Sequence, residues 1–112
     1  MEEINNLLAK YDHFRYAQLR SIESLTETSK RLTIAIQDDE GEDVEMVVIE
    51  FDNITASKIL INSVLSYLDM GDGISIVKEN NLYGFAVGSG TAMLHVRSAP
   101  MYIIASDIKI KN

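Results

Sequence analysis

The sequence predicts an α+β fold, a β-rich and mostly antiparallel sheet or half-barrel with an N-terminal helix and one further helix near 55–69. Three observations carry that prediction. Two alternating apolar runs flank a polar stretch with a central glycine, four short apolar runs follow between turn-forming residues, and the apolar spacing turns helical at the start and in the middle.

At the start, Ile4, Leu7 and Leu8 recur at helical spacing, and Glu2 and Glu3 complement the positive end of a helix over Glu2–Lys10. Phe14, Leu19, Ile22 and Leu25 fit either a continued helix or an irregular strand across 14–25. "RLTIAIQ" (31–37) alternates with Leu32, Ile34 and Ile36 on one side. "DVEMVVIEF" (43–51) alternates as well, with Val44, Met46 and Val48, or Val47 and Ile49 one residue out of step, and Phe51 supplying the apolar side. The polar link around Gly41 makes the two runs a hairpin. In "NITASKILINSVLSYLDMG" (53–71), Ala56, Leu60, Val64 and Tyr67 share a helical stripe, with β-branched residues leaving a strand as the rival. Strand candidates then follow at 74–79, 82–88, 91–96 and 101–110, separated by "NN", "GSG" and "SAP". Such spacing predicts an antiparallel meander.

The chain has 112 residues, which predicts a single domain spanning 1–112. It has no cysteine, so disulfides, thiolate metal ligands and a cysteine nucleophile are excluded. The N-terminus carries acids where a secretory leader needs bases, and no apolar run approaches a membrane span. A cytoplasmic protein with no membrane association is the expectation. The net charge is −7, which argues against a nucleic-acid partner, because phosphate backbones need clustered Lys and Arg. Between Leu32 and Ser57 stand eight acids and no base, and the rest of the chain carries +1. The acidity therefore belongs to one segment.

Its densest part is "QDDEGEDVE" (37–45), with Asp38, Asp39, Glu40, Glu42, Asp43 and Glu45. Three readings compete: a cation site, a docking surface for a basic protein, or a solvated hairpin tip. An EF-hand loop is excluded, because Gly41 at the sixth position puts Ile36 first and Val47 twelfth, and neither binds calcium. "GDG" (71–73) and "GSG" (88–90) lack the third glycine of a dinucleotide fingerprint, since Ile76 and Met93 stand there, and no Walker lysine follows. They are turns. His13 and His95 have no second ligand at metal spacing, and no serine sits in a nucleophile elbow, Ser89 lying directly between two glycines. The aromatics are not interleaved with bases as a base-stacking surface requires. Neither a metal nor a cofactor is expected.

The order "HFRYAQLRSIESL", then "KRLTIAIQDDEGEDVEMVVIEFDNI", then "MYIIASDIKI" resembles small β-rich bacterial proteins grouped as toxin-immunity-like or uncharacterised. The shared pattern is an opening strand, a hairpin ending near Phe51, Asn53 and Ile54, and a closing strand. It departs at the opening motif, where Tyr16 replaces an acid. The resemblance implies a strand at 14–25 and no catalytic residues.

Two functions follow as expectations. The first is a non-enzymatic interaction protein, immunity-like, that uses the acidic hairpin to bind a basic protein partner. The second is a small-molecule binding or sensing module with a pocket between helix and sheet, lined by Tyr67, Tyr83 and Phe85. Monomer and homodimer are both compatible with the sequence, the final strand being a candidate edge.

Overall fold

The structure, a computed structural model, describes residues 1–111. Helix α1 (Glu2–Lys10) is followed by strands β1 (Gln18–Thr26), β2 (Ser29–Gln37) and β3 (Asp43–Lys58). A 3-10 turn (Asn62–Tyr67), β4 (Ile74–Glu79), β5 (Leu82–Val87), α2 (Met93–Arg97) and β6 (Tyr102–Lys111) complete the chain. The strands form one open antiparallel sheet in the order β1-β2-β3-β6-β5-β4. It is thus two three-stranded meanders, β1-β2-β3 and β4-β5-β6, joined where β3 pairs with β6.

The larger core lies on the sheet face covered by α1. Nine residues are too few for a stable isolated helix, so α1 is held by packing. Its Ile4, Leu7 and Leu8 are buried with Leu32 and Ile34 of β2, Val47, Ile49 and Phe51 of β3, and Ile103 of β6. The rings of Phe51 and Phe85 meet at 5.5 Å. A smaller cluster of Ala86, Val96 and Ile104 occupies the opposite face under α2. Gly84 makes room for that helix, since a Cβ there would lie 2.6 Å from the Met93 sulfur.

In β3 the inward residues are Val47, Ile49 and Phe51, while Val44 and Met46 are exposed. The out-of-step register of the two sequence alternatives is the one adopted. Beyond Phe51 the next residue packed on the core is Ile54, and in β6 the core-facing set changes from Ile103 and Ala105 to Ile108 and Ile110. Both strands therefore change phase at the same place. Asn53 adopts a left-handed backbone there (φ 56°), and its side-chain amide donates to Asp107 Oδ2 at 2.7 Å. The Ile54 N–H donates to the Thr28 carbonyl at 2.9 Å, so the β1–β2 turn closes over the kink.

Two expected elements are corrected. The helix near 55–69 is absent: β3 runs on to Lys58, pairing Ser57 with Ile103 and Lys58 with Tyr102, and only Asn62–Tyr67 coils, as a 3-10 turn. The β-branched Ile54 and Thr55 extend the strand, and of the supposed helical stripe Val64 and Tyr67 are exposed. The strand at 91–96 is instead α2, whose first N–H, from Met93, is accepted by Glu79 at 2.7 Å. Five residues are too few for a helical period to show in sequence. The half-barrel alternative is also not realised, since the sheet stays open. The "NN" turn, by contrast, forms as expected: Asn80 and Asn81 both take positive φ, as a two-residue hairpin loop requires.

The connection from α1 to β1 is unusual. Asp12, His13 and Phe14 take φ of 50°, 57° and 60°, and Tyr16 takes 62°. Each such non-glycine residue costs roughly 1–3 kcal/mol. Phe14 offsets part of this by complete burial, and the Tyr16 N–H donates to the Met70 carbonyl at 2.9 Å. Gly73 takes φ 70°, and a Cβ on it would stand 2.0 Å from the His13 carbonyl oxygen. Gly41 also has positive φ, at 81°, but a Cβ there would meet nothing within 4 Å. Gly73→Ala is therefore expected to cost more than about 2 kcal/mol and Gly41→Ala about 1 kcal/mol. Urea denaturation midpoints measure both, and equal losses would refute the close approach at Gly73.

Candidate functional site

The acidic hairpin is built locally. Asp38 Oδ1 accepts the backbone N–H groups of Glu40 at 2.9 Å and Glu42 at 3.0 Å, an Asx turn that shapes the tip. The Asp38 N–H donates to the Glu42 carbonyl, and Gly41 supplies the left-handed corner.

From the tip towards the sheet the acids change character. Asp43 forms a two-pronged pair with Arg20, with Nη2 to Oδ1 at 2.6 Å and Nε to Oδ2 at 3.1 Å, and also accepts from Gln37. Those bonds, Arg20 first and Gln37 second, hold the Asp43 carboxyl below its ordinary range. Glu45 accepts from the Tyr11 hydroxyl and lies 3.9 Å from Lys10, which ties the hairpin to the end of α1. Glu50 sits between Arg31 at 2.9 Å and Lys111 at 3.2 Å, and Asp52 lies 3.8 Å from Lys109. Hydrogen bonds from Arg31 and then Lys111 depress the Glu50 carboxyl.

Half of the eight acids are thus neutralised by cations from distant parts of the chain. Among the described residues no cation lies within ion-pair distance of Asp38, Asp39, Glu40 or Glu42. Those four are exposed, and Tyr16 (76% exposed), Val44 (61%) and Met46 (46%) are exposed nearby in the fold. Tyr16 and Arg15 line a shallow cleft with Asp38, Asp39 and Gly41. Among the described residues no group of three or more His, Asp or Glu is placed to hold a metal.

The three aromatics expected in one pocket occupy three settings. Phe85 is wholly buried in the core, and Tyr67 lies on the 3-10 turn, 85% exposed. Tyr83 is half-buried, with the Lys78 ammonium 5.1 Å from its ring centre. It lines an open cleft of about 380 Å³ between the start of α1 and the end of β6, together with Glu3, Ile4 and Ile108.

Sequence reasoning missed a second polar region, around Asp72, Ser75, Ser89 and His95, with His13 and Arg15. These residues are scattered along the chain, and only folding gathers them. Compared with known protein families, curated proteins and solved structures, the chain gives no match. No helix among the described residues is long and apolar enough to cross a membrane.

A depressed carboxyl stabilises the fold above its unfolded-state pKa and loses that contribution as pH falls through the folded value. For Glu50 the loss begins near its ordinary value of 4.5 and extends to lower pH. Denaturation midpoints of wild type should fall through this window more steeply than those of Glu50→Gln. Parallel curves would mean that the Arg31–Glu50–Lys111 cluster adds nothing to stability.

Proposed function

We propose that the protein is a non-enzymatic interaction module that docks a basic protein partner on the tip of the β2–β3 hairpin. One observation carries this reading. Among the described residues, cations pair with Asp43, Glu45, Glu50 and Asp52, and none pairs with the exposed Asp38, Asp39, Glu40 and Glu42, near exposed Tyr16, Val44 and Met46.

Interface centres favour aromatic and Met side chains inside a polar rim. Unpaired surface charge of one sign steers a complementary partner and speeds encounter, an effect that salt screens over about 8 Å. Asp43 and Glu45, the two remaining acids of the expected surface, act here as anchors that fix the tip to β1 and α1. A partner-masking role of this kind is the one the immunity-like resemblance implies.

The test keeps Asp38, which holds the turn, and changes Asp39→Asn, Glu40→Gln and Glu42→Gln together. A basic protein recovered from host lysate at low salt should bind wild type at least about tenfold more tightly than the variant. The salt dependence of its binding should also flatten in the variant. Equal affinity and equal salt dependence would place the docking surface elsewhere.

A further inference from the structure

Two adjoining cavities open where β4 begins and β5 ends, and Asp72, Ser75 and Ser89 line both. The first, about 210 Å³, is completed by His13, Arg15 and Thr91. The second, about 350 Å³, extends past His95 to Val87 and Pro100.

Donors dominate the first lobe. Arg15 carries five N–H groups, and its one ion pair, to Asp12, is long at 3.4 Å and exposed. Ser75 is one of only two buried polar residues among those described, 8% exposed, and lies at the start of β4. At the second lobe, His95 Nδ1 accepts the Thr91 N–H at 3.0 Å. The proton of the neutral ring is therefore on Nε2, which is left able to donate. Asp72, at the junction, is an acceptor.

The walls are held close. The Gly88 N–H donates to the Gly73 carbonyl at 2.8 Å, tying the two glycine loops together. Gly90 lies against His95, where a Cβ would come within 2.8 Å of the histidine Cβ. The left-handed run Asp12–Phe14 forms the third wall and carries His13, which is exposed and gains nothing from burial. Strain of that kind concentrates at ligand clamps and active sites.

We propose that this cleft binds a small hydroxylated oxyanion, its anionic group among Arg15, His13, Ser75 and Thr91, its hydroxyl on Asp72, and its body in the lobe beside His95 and Pro100. Phosphate and carboxylate share the required chemistry, since each presents several acceptor oxygens to a guanidinium and hydroxyls. Asp72 would repel a bare dianion but accepts a neighbouring hydroxyl, which selects a hydroxylated compound over a simple ion.

Amide-detected NMR titration of the whole chain tests this, with glycerol 3-phosphate, glycerate and glycerol as probes at fixed ionic strength. At least one of the two anions should give shifts that saturate below about 10 mM. These should centre on His13, Ser75, Ser89–Thr91 and His95, and glycerol should give none. The stronger anion identifies phosphate or carboxylate as the recognised group. Arg15→Gln should weaken binding about tenfold, and Ser75→Ala should weaken it while the spectrum stays dispersed. The proposal fails if neither anion saturates, if shifts centre instead on Lys10, Lys109 and Lys111, or if both variants bind as wild type does.

Discussion

The fold depends on the register of one strand. β3 carries the seam between the two meanders, hydrogen-bonded to β2 along its first half and to β6 along its second. In a regular strand a slip of one residue turns every side chain to the other face. Here such a slip would turn Val47, Ile49 and Phe51 out of the core and Met46, Val48 and Glu50 into it. β6 would lose its inward residues at the same time, because Phe51 pairs with Ile108 and Ile49 with Ile110. The kink at Asn53 makes the register harder to change. The left-handed residue, the amide bond to Asp107 and the Thr28 carbonyl on Ile54 occur together only in the observed alignment. Asp107 is further fixed by Ser106, and these two bonds, Asn53 first, keep its carboxyl in the charged form below the ordinary range.

The charge distribution follows from the same register. The acids between Leu32 and Ser57 look unopposed along the chain, but antiparallel pairing sets Arg31 opposite Glu50 and Lys109 opposite Glu50 on the other side. Arg20 reaches Asp43 across β2 from β1. An exposed pair such as Arg20–Asp43 contributes little by itself, whereas Glu50 is buried between its two cations. The larger effect of these pairs is to decide which acids remain available to anything outside the chain. The sheet takes up the acids on its strands, and the hairpin tip, beyond the reach of any neighbouring strand, keeps its charge.

What was legible in the sequence tracks how local the determining interaction is. α1, the β2–β3 hairpin, the Asn80–Asn81 turn and the run of β4 and β5 depend on period, turn chemistry and nearest neighbours, all visible in a short window. The strand at 14–25 formed only from Gln18, because its first residues belong to the left-handed turn. The helix expected near 55–69 failed for a non-local reason. Ala56, Leu60 and Val64 have helical spacing, but β6 offers an unpaired partner for residues 54–58, and edge pairing outweighs the weak propensity of so short a segment. The acidic hairpin was legible as a cluster and illegible as a surface, since its cations come from residues 10, 20, 31, 109 and 111. The polar cleft was invisible because Asp72, Ser75, Ser89 and His95 are gathered only by the β4–β5 pairing and α2, and His13 joins them from the turn before β1.

The left-handed turn before β1 shows how packing and chemistry divide in this molecule. Elsewhere, positive φ falls on residues suited to it: Gly41 at the hairpin tip, Asn53 at the kink, Asn80 and Asn81 at the β4–β5 turn. Between Asp12 and Tyr16 it falls on Asp, His, Phe and Tyr, two of them aromatic. Phe14 is accounted for by burial, where an apolar side chain of its size contributes about 1.5–3 kcal/mol. His13 and Tyr16 are exposed, so no packing offsets their conformation, and glycine would adopt it at lower cost. What their side chains add lies outside the core. Tyr16 faces the cleft below the acidic tip, and His13 faces the cleft at the start of β4. This strained backbone therefore sits between the two clefts, with Tyr16 lining one, His13 the other and Arg15 both.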